Sequence, residues 1–329
     1  MFDQGETPKA AAPALPQLHA AITSKSPRTT GASAVGSSRV ACSPDEFVRQ
    51  RCLMQFTRPE TARTAGAKAH RPGGIGFHFL LEGTEFALDN YQLALVEAND
   101  YHAPRHRHNF EQIRILLEGE FGFDAGLSQS AGSVGYFCEG TYYTQDARGK
   151  SRTLLLQVAG PSGQSYMSEP QLNAGIEALR TQGEFHDGIY TYRDEAGKKH
   201  NSDGYEAVWT HVFGKPVRYP KPQYDNPVLL RPERFHYLAL AGSPGVAVRH
   251  LGTFNERRLS LGMLRLDPGA SVEIGDATHN QLLYGLEGSW RIADHEGCAG
   301  AAAEVLKGRR EQLTAKTPSE FYVFTLPAF

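Results

Sequence analysis

Short apolar segments separated by turn residues make up most of the chain after about residue 74. Five of them are only four to six residues long, at 92–96, 112–117, 120–123, 134–137 and 153–158. Glycine, aspartate or asparagine stands between consecutive segments, as in the Asp-Ala-Gly sequence at 124–126. Short strands at this even spacing are typical of an all-β sandwich or barrel. The sequence therefore predicts an all-β fold.

One amphipathic helix interrupts this pattern. Leu172, Ile176 and Leu179 would share one helical face. Ser168 suits the N-cap of this helix, and Gly183 suits its C-terminal end. We expect the helix to connect two lobes and to be followed by a Tyr- and Pro-rich stretch that runs extended across a surface to about residue 230.

The second half of the chain repeats the first weakly. When the Leu-Glu-Gly sequences at 117–119 and 286–288 are superposed, Gln281 falls on Gln112, but Gly275 and Ala277 fall on two histidines of the first half. A repeated framework without repeated chemistry predicts two barrels, of which the second is degenerate and binds nothing catalytic. The predicted order is a disordered low-complexity leader over 1–74, a first barrel over 75–162, a linker over 163–230 and the second barrel over 231–329.

Most of the candidate metal-binding and catalytic residues lie in the predicted first barrel. His106 and His108 are one residue apart, so on a strand they would share a face and point at one atom. Imidazole is a common protein ligand of zinc, iron, copper and nickel. Gln112 follows on the next strand, and Arg114 shares its face. This spacing predicts a site for one metal ion on the two histidines.

Together with Leu-Glu-Gly, these residues resemble the first motif of a cupin, a small double-sheet jelly-roll barrel that often holds one metal ion in its mouth. Asp100 stands where the motif has its first glycine, and Gln112 stands where it has glutamate. The two histidines and Gly119 match the motif. The resemblance implies a bicupin, with its metal in the first barrel.

The second cupin motif is also altered. Gly132 and Gly140 match it, whereas Cys138 replaces its proline and Tyr143 replaces its last histidine. Two of the four usual ligand positions are therefore kept and two are changed. The resemblance implies a metal held by the two histidines and completed by Gln112, Tyr143 or both, with water in the remaining positions.

The roles of the neighbouring polar residues stay open. A neutral Gln112 oxygen would leave more positive charge on the metal than a carboxylate, which suits an anionic, chelating substrate. Tyr143 could ligate the metal or hydrogen-bond a substrate. Arg114 could bind a substrate carboxylate or form a salt bridge within the barrel. Arg114 and Tyr143 are therefore the candidate catalytic residues. Strand alternation turns Glu111 away from Gln112, and we expect Glu111 to face solvent.

Composition and charge exclude several kinds of partner. A formal net charge of −2 gives no reason to expect nucleic acid, and no apolar run approaches membrane-spanning length. The four cysteines, Cys42, Cys52, Cys138 and Cys298, have no CxxC spacing and are predicted to be free thiols of a reducing compartment. No secretory signal is recognisable. We expect a cytoplasmic protein, and a homodimer that covers exposed sheet edges.

Two functions of different classes fit this sequence. The first is a mononuclear metal enzyme that acts on a small polar organic molecule. The resemblance allows oxygen-dependent oxidation, decarboxylation or isomerisation, among which we favour a dioxygenase-type reaction on iron, with manganese, nickel or zinc as the other metals. The second is a non-catalytic barrel of the binding or storage type, in which a metal is absent or only structural; without a metal, the two histidines are simply hydrogen-bonded.

Overall fold

The computed structural model describes residues 54–66 and 74–329. The α-helices are α1 (Glu169–Arg180) and α2 (Gly204–Phe213). The described strands are β1 (Phe56–Thr57), β2 (Arg63–Ala65), β3 (Ile75–Glu82), β4 (Tyr91–His106), β5 (Phe110–Glu118), β6 (Glu120–Asp124), β7 (Leu127–Ser130), β8 (Val134–Phe137), β9 (Tyr143–Ala159), β10 (Gly183–His186), β11 (Ile189–Arg193), β12 (Lys199–Asp203), β13 (Val228–Leu230), β14 (Leu238–Ala239), β15 (Val246–Thr253), β16 (Ser260–Leu266), β17 (Ser271–Ile274), β18 (Gln281–Glu287), β19 (Ser289–Ile292), β20 (His295–Cys298), β21 (Ala302–Val305), β22 (Glu311–Ala315) and β23 (Ser319–Thr325). The predicted all-β class is confirmed.

The first jelly-roll barrel is built around β9. Its main sheet has the order β13-β8-β5-β9-β4-β3-β2, and the hairpin of β6 and β7 joins it beside β9. Strand β9 pairs with β4 along one side and with β5 along the other. Both β4 and β9 are much longer than the predicted segments at 92–96 and 153–158. Irregularities between Asn99 and Tyr101 and between Ala103 and His106 let β4 bend and continue around the barrel.

The second barrel has a seven-stranded sheet of order β1-β21-β18-β23-β16-β15-β14 and a four-stranded sheet of order β17-β22-β19-β20. One apolar core runs across both barrels, so the two sheets bury each other's outer faces. The first barrel contributes, among others, Leu93, Leu95, Ile113, Ile115, Leu154 and Leu156, and the second contributes Leu261, Leu282, Tyr322 and Phe324. Burial of each such side chain stabilises the fold by about 1.5–3 kcal/mol, so this shared core ties the barrels together.

The connection between the barrels contains the predicted helix. Ser168 caps α1, because its Oγ accepts a hydrogen bond from the Gln171 amide while the Gln171 side chain accepts one from the Ser168 amide. The helix ends at Arg180, with Thr181 as its C-cap, three residues before Gly183. Gly183 instead begins the three-stranded sheet of β10, β11 and β12.

The stretch after α1 was predicted to run extended, and this prediction was wrong for residues 204–213. Asp203 caps a second helix there, α2, which ends at Gly214 in the left-handed conformation. Its apolar residues, Val208 and Trp209, pack with Leu172 and Ile176 of α1. The helix is too short for its periodicity to stand out in the sequence, and this packing against α1 stabilises it.

The predicted disordered leader is only partly covered by the structure. Residues 1–53 and 67–73 lie outside the described residues. Residues 54–66, by contrast, contribute β1 to the second barrel and β2 to the first, so the leader cannot extend to residue 74 as predicted. Arg63 in β2 also bridges Glu82 of β3 and Glu169 of α1, at 2.7 and 2.8 Å.

Glu111 was expected to face solvent, and this expectation was wrong. It does point away from Gln112, but the outer face of β5 is covered by the second barrel, and Glu111 is fully buried. Its two carboxyl oxygens accept hydrogen bonds from the Tyr136 hydroxyl (2.8 Å) and from the Asn255 amide of the second barrel (2.6 Å). Burial raises the pKa of Glu111 to about 8, although both hydrogen bonds oppose that rise.

The raised pKa of Glu111 predicts how stability depends on pH. A carboxyl group that ionises near pH 4.5 when unfolded and near pH 8 when folded destabilises the fold as pH rises between these values, by a few kcal/mol in total. Glu111→Gln should remove this dependence. Denaturant unfolding at about pH 5 and about pH 9 should therefore show the wild type losing more stability than the variant. Glu118→Gln, on the same strand but exposed, should behave like the wild type, and equal losses in all three proteins would contradict the prediction.

Candidate functional site

A cavity of about 410 Å³ opens at the mouth of the first barrel. His106, His108 and Arg114 all line it, so the structure brings together three of the predicted site residues. The other two, Gln112 and Tyr143, are not among the described lining residues. They are almost fully buried behind the cavity wall. A cavity of this volume has the size of a small-molecule site.

The two histidines lie side by side but not on one strand. His106 is the last residue of β4, and the chain turns before β5 begins at Phe110, so His108 lies in the turn. Their ring centroids are 4.9 Å apart and nearly perpendicular, and the His108 ring stacks on Phe110 at 4.4 Å. The two rings are close together, as predicted, but the turn between β4 and β5 brings them together and strand alternation does not.

Backbone contacts hold each histidine. The Nδ1 atom of His106 lies 2.7 Å from the Pro104 carbonyl oxygen, which can only accept, so Nδ1 donates this hydrogen bond and orients the ring. The Gly140 amide donates to the His108 carbonyl oxygen at 2.8 Å. Gly140 has a φ of 81°, and a Cβ atom there would clash with the Pro220 carbonyl oxygen, so only glycine fits.

A buried network of neutral groups surrounds Arg114. Its Nε donates to the Gln112 Oε1 at 2.9 Å, and its Nη2 donates to the Tyr143 hydroxyl at 3.1 Å. Gln112 completes the triangle, because its Nε2 donates to the same hydroxyl at 2.8 Å. The guanidinium carbon also lies 4.9–5.1 Å from the ring centroids of Phe121, Phe137 and Tyr143.

This network leaves the charge of Arg114 without an opposite charge. Arg114 is only 4% exposed, and among the residues that the structure describes no carboxylate forms an ion pair with its guanidinium. A buried cation held only by neutral groups is costly unless an anion approaches it. Arg114 lines the cavity, so a ligand carboxylate in the cavity would supply that anion. The salt bridge that sequence reasoning left open is therefore not formed within the described part of the chain.

The donor set fits a metal on two protein ligands. The rings of His106 and His108 have their centroids 4.9 Å apart and lie next to the Tyr143 ring, at 4.7 and 5.8 Å. The oxygens of Gln112 and Tyr143, however, are hydrogen-bonded within the Arg114 network. Among the described residues no three His, Cys, Asp or Glu side chains form a group that could hold a metal ion. Any metal would therefore take its remaining ligands from water or substrate, unless the Arg114 network opened.

Residues outside the predicted site complete the cavity mouth. Arg107 lies over the rings of Tyr142 and Tyr219, at 4.9 and 4.3 Å, and Arg105 lies over the same Tyr142 at 4.5 Å. Tyr219 belongs to the linker that was expected to cross a surface. The linker instead forms one wall of the cavity, and the Tyr205 hydroxyl donates to Asn109 beside His108 at 2.9 Å. Only the folded chain brings these residues to the site, so no local sequence signal marked them.

Comparison with known proteins finds similar folds among solved structures. No family model matches the sequence, and no curated protein matches it. Among solved structures, it is similar to a putative dioxygenase from Nostoc punctiforme, with 8% identity, a TM-score of 0.55, and coverage of 84% of this chain and 86% of the other. It is also similar to oxalate decarboxylase from Bacillus subtilis (13% identity, TM-score 0.51, coverage of 83% and 76%). A third similar structure is a putative glyoxylate-induced protein from Pseudomonas aeruginosa (12% identity, TM-score 0.51, coverage of 81% and 84%).

These likenesses confirm the class of fold that the motifs predicted. The chain has the bicupin fold, in which two cupin-type jelly-roll barrels are joined, here through a short helical connection. Its two altered ligand positions distinguish its site from the cupin pattern described above. No helix in the described residues is long and apolar enough to cross a membrane.

The Arg114 network predicts the effect of Tyr143→Phe. The substitution removes an oxygen that accepts hydrogen bonds from Gln112 and Arg114, which leaves two buried donors unsatisfied. We expect a loss of about 1–3 kcal/mol in the free energy of unfolding, measured by denaturant titration. Tyr101→Phe is the matched control, because Tyr101 is also buried in this barrel but no hydrogen bond of its hydroxyl is found among the described residues. Equal losses in both variants would show that the network contributes nothing.

Proposed function

We propose that this protein is a metal-dependent cupin enzyme that acts on a small anionic organic substrate in the cavity of the first barrel. The observation that carries the proposal is the buried Arg114, whose hydrogen-bond partners within the described residues are neutral and which lines the same cavity as His106 and His108. In this reading His106 and His108 hold one divalent transition metal ion. Iron is the favoured metal, and manganese, nickel and zinc are the alternatives.

The chain's own residues bind and orient the substrate. Arg114 holds the substrate carboxylate through its guanidinium, and Gln112 and Tyr143 fix the guanidinium in place. The aromatic side chains at the mouth, Tyr142 and Tyr219, restrict access of water. A bound metal would supply Lewis-acid or redox chemistry at the open positions beside the two histidines.

Among the possible chemistries we favour a dioxygenase-type oxidation. The similar fold of the Nostoc punctiforme protein supports this preference, and a site with two histidine ligands leaves room for substrate and oxygen. Decarboxylation is the next alternative, since oxalate decarboxylase of Bacillus subtilis, which has Mn(II) centres, shares the fold. Fold alone does not fix the reaction, so the metal must be identified first.

The second candidate is a small-molecule-binding barrel without a metal. The hydrogen bonds that engage the Gln112 and Tyr143 oxygens favour it, because both candidate additional ligands already serve Arg114. In that case the cavity binds an organic anion through Arg114 and catalyses nothing. The two candidates share the anion site and differ only in the metal.

Elemental analysis of protein purified without chelator separates the two candidates. We expect near-stoichiometric iron, manganese, nickel or zinc in the wild type, and its loss in His106→Ala and in His108→Ala. His102→Ala is the matched control, because His102 is an exposed histidine on the same strand and should leave the metal content unchanged. Wild-type protein that stays free of metal after anaerobic reconstitution with ferrous iron would exclude the enzyme and leave the binding barrel.

A further inference from the structure

The cavity of the first barrel continues past Arg114 into an apolar end. On one face of the sheet, Val96 of β4 pairs with Phe77 of β3 on one side and with Thr153 of β9 on the other. Leu155, two residues along β9 from Thr153, pairs with Arg114 itself. We call Ile75, Phe77, Val96 and Leu155 the apolar end of the cavity; all four line it.

The apolar end and Arg114 belong to one binding space. Phe121 lines the cavity and lies 5.0 Å from the Arg114 guanidinium carbon, so it covers the place where the charged and apolar parts meet. The two acidic lining residues of the described chain, Asp203 and Glu206, stand in the linker and not in the strands of this end. Strand β9 also contributes the neutral polar side chains of Gln145, Thr153 and Gln157 to the lining, whereas Ile75, Phe77, Val96 and Leu155 offer a second charged group no hydrogen bond.

We propose that the substrate is a carboxylic acid with an apolar body about the size of one ring, held with its carboxylate on Arg114 and its body against the apolar end. This inference rests on the proposed anion site and names the class of molecule that fills it. A small doubly charged acid would satisfy Arg114, but it would leave the apolar end unfilled, and a second charge turned toward Phe77, Val96 and Leu155 would find no hydrogen bond there. An uncharged ring would fill the apolar end and leave Arg114 without an anion.

Four probes separate these parts of the ligand. Benzoate carries both the carboxylate and the ring, benzamide keeps the ring without the charge, and acetate and oxalate keep the charge without the ring. Ligand-observed NMR and calorimetry on the full-length protein should give benzoate an affinity at least about tenfold above each of the other three. Acetate or oxalate binding as tightly as benzoate would overturn the apolar part of the inference, and equal binding of benzamide would overturn the role of Arg114.

Two substitutions of nearly equal volume test the apolar end, and they should change benzoate affinity in opposite directions. Val96→Thr places a hydroxyl in the apolar end and should weaken benzoate binding several-fold without changing acetate binding. Thr153→Val removes a hydroxyl from the neighbouring position and should strengthen benzoate binding. Arg114→Gln should abolish the preference for benzoate over benzamide. Thermal unfolding identifies any variant that fails to fold, and unchanged benzoate affinity in both isosteric variants would contradict the assignment.

The same measurements distinguish failure of this inference from failure of the metal site. Benzoate binding is measured on protein as purified and on chelator-treated protein whose metal content is known. Selective benzoate binding without metal would support the inference and leave the enzyme unsupported. Bound metal together with no selectivity for benzoate would overturn the inference while the metal site stands.

Discussion

Alternation of side chains along β5 is the constraint on which both the fold and the site depend. Ile113 and Ile115 point outward into the core shared with the second barrel, whereas Gln112 and Arg114 point into the first barrel. A shift of register by one residue would bring Arg114 into the shared core and the isoleucines into the cavity. The apolar contact between the barrels therefore fixes the position of the charged group in the site.

A neutral glutamine at position 112 has a physical consequence for Arg114. A carboxylate at the end of the same 2.9 Å hydrogen bond would neutralise the guanidinium and reduce its attraction for a ligand anion. Gln112 and Tyr143 instead accept two hydrogen bonds from Arg114 without adding charge. The position that resembles a lost metal ligand is thus well suited to keep a buried cation available to the cavity.

Much of the fold could be predicted because its signals are local. The apolar segments, the turn residues and the Ser168 cap all act within a few residues, and the structure confirms the barrels and the helix. The burial of Glu111 could not be predicted in this way, since alternation gives the side of a strand and not what covers that side. Helix α2 depends on packing against α1, and its neighbour Tyr219 reaches the cavity only through the folded linker.

In the candidate site, too, the features that depend on local spacing could be predicted from the sequence, whereas those that depend on long-range contacts could not. The sequence spacing alone predicted that Gln112 and Arg114 are neighbours on one face of a strand. It also predicted that His106 and His108 lie close together, although the turn after β4, and not strand alternation, brings them there. The hydrogen bonds to Tyr143 could not follow from spacing, because Tyr143 is about thirty residues away and reaches the network through the pairing of β9 with β4.

The proposed metal position at the two histidines and the anion position at Arg114 interact electrostatically. A divalent metal on two neutral histidines would stand near a buried guanidinium, since the Tyr143 ring lies 4.7 Å from the His106 ring and 4.9 Å from the Arg114 guanidinium carbon. Two cationic centres in one poorly solvated cavity repel each other unless an anion lies between them. A bound carboxylate would therefore strengthen metal binding, and by thermodynamic reciprocity the metal would strengthen carboxylate binding to the same degree. In such a site the anionic substrate serves as the carboxylate that the cupin motif here lacks.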